Sequence, residues 1–118
     1  MRNIGLSSPF LEGELTNPQY NLFYDAPATI FIFTAPGILT PGTDASLAAG
    51  NMMLASSSLG LGSCYIGMAL GLGKDRDFMN ELNVPDDHIL KGIVILGYPK
   101  SDSGPSQRAD PQTLSWIY

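Results

Sequence analysis

Two apolar runs in the chain predict buried β-strands. The first covers residues 28–35, between Pro27 and the turn-forming pair Pro36 and Gly37, and the second covers residues 89–98. Both runs are apolar at successive positions rather than at every second position, which is typical of strands that are covered on both faces. We therefore expect them to be neighbouring central strands of one sheet.

The segment between these runs predicts a long helix. Thr43 or Asp44 can cap its start, and Gly60 can end it. Its apolar residues are spread over much of the circumference: Leu47, Ala48, Met52, Leu54, Ala55 and Leu59. Such a helix is expected to be largely buried and to be covered on more than one side.

The order of elements predicts an α+β or α/β sandwich. After Gly62 the chain turns into a short apolar run at residues 64–66, followed by a loop at 68–75. A brief amphipathic helix, capped by Asp75 and ending near Asn83, leads into the second strand. We expect an N-terminal arm at residues 1–25 and a single domain at 26–118.

The C-terminal tail is polar and rich in turn residues until its apolar end. Leu114, Trp116 and Ile117 make up that end. Chain ends fray unless something ties them down, so an apolar end is expected to dock on a surface.

Composition excludes several classes of protein. The chain has 118 residues, 44% of them hydrophobic, which is enough for one core, and its net charge of -5 disfavours binding to nucleic acid. No apolar run is long enough to cross a bilayer, so we expect no membrane association and a soluble, cytoplasmic protein. One cysteine and one histidine allow neither an internal disulfide nor a metal site of recognisable spacing.

No side chain stands out as a catalytic group. Cys64 has apolar neighbours, and His88 lies far away in an acidic turn, so a Cys–His pair is disfavoured. The serines at 56–58 come late in the helix and are expected to face solvent or to bond helix carbonyls. The glycines at 60–73 lack the spacing of a dinucleotide-binding loop.

Four segments, in order and spacing, resemble the FMN-dependent nitroreductase family. They are residues 24–28 before the first strand, the long helix with the run to Gly67, residues 82–85, and residues 95–99 at the end of the second strand. The resemblance covers about residues 24–118 and corresponds to the C-terminal half of the family. It implies an α+β fold, here a nitroreductase-like sandwich truncated at the N-terminus. It also implies an intertwined homodimer that binds FMN at its interface and passes electrons from NAD(P)H to a small acceptor such as a nitroaromatic or a quinone.

The resemblance also implies which residues meet the flavin. Its ring would lie against Tyr65, Ile66 and Gly67, where a backbone N–H at Gly67 or its neighbour would face the flavin N5. A fixed donor there orients the ring and favours its reduction, and a glycine allows the close approach. The alternative is an ordinary glycine turn that closes a strand.

Arg108 matches the family position that reaches the FMN phosphate, where a guanidinium can make paired contacts. The alternative is a solvated loop arginine. A second cation usually stands two positions earlier, where this chain has Ser106. Arg2 is the only basic residue before position 74, so FMN binding is expected to be poor unless a partner subunit or a further segment supplies charge.

Three functions therefore remain open from the sequence. The first is the flavoenzyme, the second is a non-catalytic dimeric remnant of the same fold, and the third is a small module that binds another planar ligand in the same cleft. The sequence leaves the substrate open, as well as whether the chain is a natural short form or a fragment.

Overall fold

The computed structural model describes residues 17, 19, 21–102, 104–105, 107–115 and 117. Most of the expected N-terminal arm, residues 1–25, therefore lies outside the described residues, as does Trp116. The regular elements are β1 (Ala28–Thr34), α1 (Pro41–Ser58), β2 (Gly62–Tyr65), a 3₁₀ helix (Met68–Lys74), α2 (Arg76–Glu81) and β3 (Ile89–Gly97). The expected α+β class is confirmed.

The three strands form one antiparallel sheet in the order β1-β3-β2. The expectation that the two long apolar runs are neighbours is confirmed, because β1 pairs with β3 along its whole length. The expectation that both are central is wrong for β1, which lies at an edge of the sheet within the described chain. Apart from the exposed Ala28, the residues of β1 are half-buried, so the expected burial of both faces is met only in part. Apolar residues on both faces carried no information about a second neighbouring strand.

Both faces of β3 are covered. Ile93 and Val94 are each 0% exposed although their side chains point to opposite faces. Ile93 belongs to a core cluster with Ile66 and Ala69, against which the rings of Phe31 and Phe78 pack. Helix α1 also packs on the sheet but contributes no residue to that cluster, which places α1 on the Val94 face.

Helix α1 starts three residues earlier than the sequence indicated. Thr40 precedes it without a side-chain capping bond, and Pro41 occupies the first turn. Proline suits this position because its fixed φ is already helical and its missing N–H has no partner to lose there. The C-terminus agrees with expectation: Gly60 has φ +73°, and the Leu61 N–H donates to the Ser56 carbonyl at 2.9 Å.

The expected burial of α1 is wrong within a single chain. Only Ala45, Ala49 and Ser56 are buried, whereas Leu47 is 64% exposed and Leu54 is 72% exposed. Small residues let the helix approach the sheet closely, and they leave its leucine-bearing side uncovered.

The connection between β2 and β3 is more regular than expected. Residues 68–74, which were expected to be a loop, form the 3₁₀ helix, and this packs against β3. The expected cap of α2 is confirmed, because the Asp75 carboxylate accepts from the Asp77 and Phe78 N–H groups. In the part of the chain that is described, no helix combines the length and apolar character needed to span a membrane.

Candidate functional site

Residues 65–67 form an anchored turn between β2 and the 3₁₀ helix. The Ile66 N–H donates to the Ile93 carbonyl at 2.9 Å, which extends the β2–β3 pairing one residue past the strand. Ile66 is only 5% exposed and belongs to the core cluster. The Ile66 side chain therefore faces the core, and only its backbone and its neighbours are accessible to a ligand.

Gly67 presents an accessible backbone amide. Among the described residues its N–H has no hydrogen-bond acceptor, while its carbonyl accepts from the Leu70 N–H at 3.2 Å. Its φ of -73° and ψ of -35° suit any residue, and a Cβ placed on Gly67 would meet no other atom within 4 Å. Within the described residues, neither the backbone conformation nor the packing at Gly67 requires glycine.

Tyr65 is held across the sheet. Its hydroxyl donates to the Lys91 carbonyl at 3.1 Å, and its ring lies 3.6 Å from where a Cβ of Gly92 would be. Ile32 approaches the same point to 3.2 Å, so the space beside Gly92 is filled from both neighbouring strands. The ring is still partly accessible, since Tyr65 is 37% exposed.

A β-bulge in β3 lies under this contact. Ile32 pairs with Gly92 and Phe33 pairs with Leu90, so Lys91 has no partner on β1. Sequence reasoning missed this feature. A glycine inside an otherwise apolar strand was the available signal, because such glycines often mark a bulge or a close approach.

Arg108 is not brought together with residues 65–67 by the packing of the regular elements. It lies in the tail after β3, where every described residue from position 98 onward is exposed and none belongs to a helix or strand. Leu114 is 102% exposed and Ile117 is 94% exposed. Leu114 and Ile117 therefore do not dock on the described part of the chain.

The remaining polar candidates do not form a catalytic group. Cys64 is exposed on β2, opposite Ile95, while the His88 Nδ1 lies 2.8 Å from an Asp87 carboxylate oxygen. The predicted back-bonding of the helix serines is confirmed for two of them. The Ser56 hydroxyl donates to the Met53 carbonyl and the Ser58 hydroxyl to the Ala55 carbonyl, each at 2.7 Å.

Comparison with known proteins identifies relatives of one kind. Residues 7–98 match the sequence model of the nitroreductase family. The chain is 40% identical over 73 residues to an FMN reductase (NADPH) of Bacillus subtilis (strain 168), a match that covers 60% of the chain and 28% of that protein.

Solved structures agree in fold. A nitroreductase with bound FMN from Bacteroides fragilis superposes with a TM-score of 0.72 at 28% identity, covering 96% of the chain and 61% of that structure. An FMN-dependent nitroreductase from Clostridium difficile R20291 gives a TM-score of 0.59 at 28% identity, covering 73% of the chain and 53% of that structure. The chain thus spans less than two thirds of each of these relatives.

The family match begins at residue 7, upstream of the segments on which the resemblance rests, and ends at Tyr98, before the tail. It covers most of the chain, including all three strands, both helices and the turn at residues 65–67. On this evidence the chain belongs to the nitroreductase family.

Proposed function

We propose that this chain binds FMN against residues 65–67 and belongs to an oxidoreductase that passes electrons from NADH or NADPH to a nitroaromatic, quinone or similar acceptor. The proposal extends to this chain what the names of its relatives state of them, namely FMN reduction with NADPH and bound FMN. Since these reactions consume NAD(P)H, the proposal also keeps the cytoplasm as the location.

The amide of Gly67 is the observation that carries the proposal. It is a backbone donor without an acceptor among the described residues, and a Cβ placed on Gly67 would meet no other atom. The Ile66–Ile93 hydrogen bond fixes the backbone immediately before it. A fixed donor with open space beside it suits the edge of a planar ring whose nitrogen accepts a hydrogen bond.

When bound, FMN would supply the chemistry, because it can take a hydride from NAD(P)H and give two electrons to the acceptor. The residues of this chain would supply position and electrostatics. Gly67 would hold a donor at the ring nitrogen, Ile66 would keep that backbone on the core, and Tyr65 would border the ring. No side-chain acid or base is assigned.

The phosphate of FMN needs positive charge, and Arg108 is our candidate. The proposal places Arg108 at the flavin of a second copy of the chain, because the tail that carries it is exposed throughout its described length. An intertwined homodimer would bring the tail of one copy to the turn of the other.

The uncovered apolar surface supports that homodimer. Leu47, Leu54 and Leu59 on and just after α1 are 64–75% exposed, and Leu114 and Ile117 in the tail are almost fully exposed. Large apolar side chains that stay exposed in one chain are candidates for a contact between two copies. An obligate dimer of this kind is expected to bury more than about 2,000 Å² in total.

Titration of the purified chain with FMN tests the proposal. We expect FMN binding that quenches flavin fluorescence, followed by oxidation of NADPH or NADH when menadione or nitrofurazone is added as acceptor. If the chain binds FMN but oxidises neither nucleotide, the proposed FMN site stands and the proposed enzymatic activity is refuted. If the chain does not bind FMN at millimolar concentration, the proposed site is refuted and the non-catalytic remnant is favoured.

A further inference from the structure

The bulge in β3 and the side chain of Tyr65 are joined by a hydrogen bond. Lys91 has no register partner on β1, and on the other side the β2–β3 pairing ends with the hydrogen bond from the Ile66 N–H to the Ile93 carbonyl. The Lys91 carbonyl instead accepts the Tyr65 hydroxyl at 3.1 Å. The side chain of Tyr65, the first residue of the proposed flavin-binding turn, is thus hydrogen-bonded to the bulge in β3.

Gly92 leaves space for the Tyr65 ring, whose hydroxyl forms this hydrogen bond. A Cβ on Gly92 would lie 3.2 Å from Ile32 Cδ1 and 3.6 Å from Tyr65 Cε2. The first distance is tighter than ordinary van der Waals contact, and the second is ordinary contact. An alanine here would push against the Ile32 side chain and would fill the space beside the Tyr65 ring, in a strand where Gly92 itself is buried.

The hydroxyl contact adds a second point of attachment to the turn. The Ile66 N–H is bound to the Ile93 carbonyl, and the Tyr65 hydroxyl is bound two residues earlier in β3. These two bonds fix both the backbone and the side chain directly before Gly67. Bulges commonly occur beside functional sites, where they redirect a side chain or end a pairing.

We propose that Tyr65, Lys91 and Gly92 are positioning residues of the flavin site, and that the bulge fixes the Gly67 amide in the direction that the flavin requires. This inference rests on the proposed function. It assigns the Tyr65 hydroxyl to the protein's own backbone, so that only the partly exposed ring borders the ligand. The orientation of a ligand at Gly67 then depends on the hydrogen bond between the Tyr65 hydroxyl and the Lys91 carbonyl of β3.

Two substitutions test the inference, with a third as the matched control. Tyr65→Phe removes the hydroxyl and keeps the ring, and Gly92→Ala forces Ile32 to shift beside the ring. Tyr98→Phe removes a hydroxyl from a tyrosine that is 85% exposed and follows β3. The readouts are hydrogen exchange at the Ile66 amide without flavin, the FMN dissociation constant, and the visible circular dichroism of bound flavin.

For Tyr65→Phe we expect exchange at the Ile66 amide to accelerate and FMN binding to weaken by about 3- to 10-fold, the usual range for one neutral hydrogen bond. The flavin circular dichroism is expected to change while the melting temperature stays near that of Tyr98→Phe. Gly92→Ala is expected to show the same changes more weakly, because its methyl group meets the Tyr65 ring at ordinary contact distance. Because Gly92→Ala can also impair folding, Tyr65→Phe decides the result.

The outcomes separate the inference from the proposed function. If the wild type binds FMN and Tyr65→Phe leaves affinity, dichroism and exchange unchanged, the inference is overturned and the flavin site stands. If the wild type binds no FMN, the flavin site fails. In that case accelerated exchange confined to the Ile66 amide still supports the inference that the bulge holds the turn in place, and unchanged exchange overturns it.

Discussion

The N–H of Ile66 donates to the carbonyl of Ile93 at 2.9 Å, which ties the turn after β2 to a fully buried position of the sheet. Ile66 is 5% exposed and Ile93 is 0% exposed, so this hydrogen bond lies inside the core cluster. Breaking a buried hydrogen bond is costly because the N–H and the carbonyl would be left unpaired, with no water to replace the lost partner. The Ile66 backbone, directly before Gly67, is therefore fixed, while Gly67 itself remains exposed.

Gly67→Ala is expected to separate folding from flavin binding. The conformation of Gly67 suits alanine, and apart from its two chain neighbours the added Cβ would meet no atom of the described residues within 4 Å. The free energy of unfolding should therefore rise by about 0.4–1 kcal/mol, because alanine restricts the unfolded chain more than glycine does. FMN binding should weaken, because the methyl group occupies the space of the ring. Gly42→Ala, another position open to a Cβ, is the control and should leave FMN binding unchanged. Wild-type FMN affinity in Gly67→Ala would remove Gly67 from the site.

Arg108→Ala is expected to weaken FMN binding by about 10- to 100-fold. One charge-assisted phosphate contact contributes about 1.5–3 kcal/mol, and the chain has few other cations that could replace it. Lys100→Ala removes the same charge from an exposed position of the tail that matches no ligand position of the family. Fluorescence titration of both variants and the wild type measures the difference. Equal affinities for Arg108→Ala and Lys100→Ala would remove Arg108 from the phosphate site.

The wild-type chain is expected to be a dimer at micromolar concentration, and Leu54→Lys should push it toward monomer. Leu54 is 72% exposed on α1, and burying a leucine in an interface contributes about 1.5–3 kcal/mol. Leu114→Lys tests the tail in the same way. Leu82→Lys, at the end of α2 and 39% exposed, is the control for an added charge. Multi-angle light scattering gives the masses, and a wild-type monomer would contradict the prediction.

The two helix ends are expected to respond oppositely to substitution. Gly60 has φ +73° after α1, and Asn83 has φ +54° after α2. Gly60→Ala should destabilise the fold by about 1–2 kcal/mol, because a Cβ is strained in the left-handed region. Asn83→Gly should leave stability unchanged or raise it slightly, since glycine accepts that region without strain. Urea denaturation of both variants measures the changes, and equal effects of the same sign would contradict this account.

Local chemistry allowed the sequence to determine most elements by itself. Asp75 marks the start of α2 because its carboxylate can satisfy N–H groups that the helix leaves unpaired, and Gly60 marks the end of α1 because it adopts positive φ freely. The apolar runs predicted two paired strands and the family resemblance predicted the turn at residues 65–67. The role of Gly67 toward a ligand stays a prediction, as does that of Arg108.

Only the tertiary structure decided how these elements meet. The sheet order makes β1 an edge strand, and α1 packs through small residues so that Leu54 remains exposed. The bulge at Lys91, with Tyr65 bound over it, depends on the register between strands that lie far apart in the sequence. Register and face are set by the sum of many long-range contacts, which no local pattern of residues encodes.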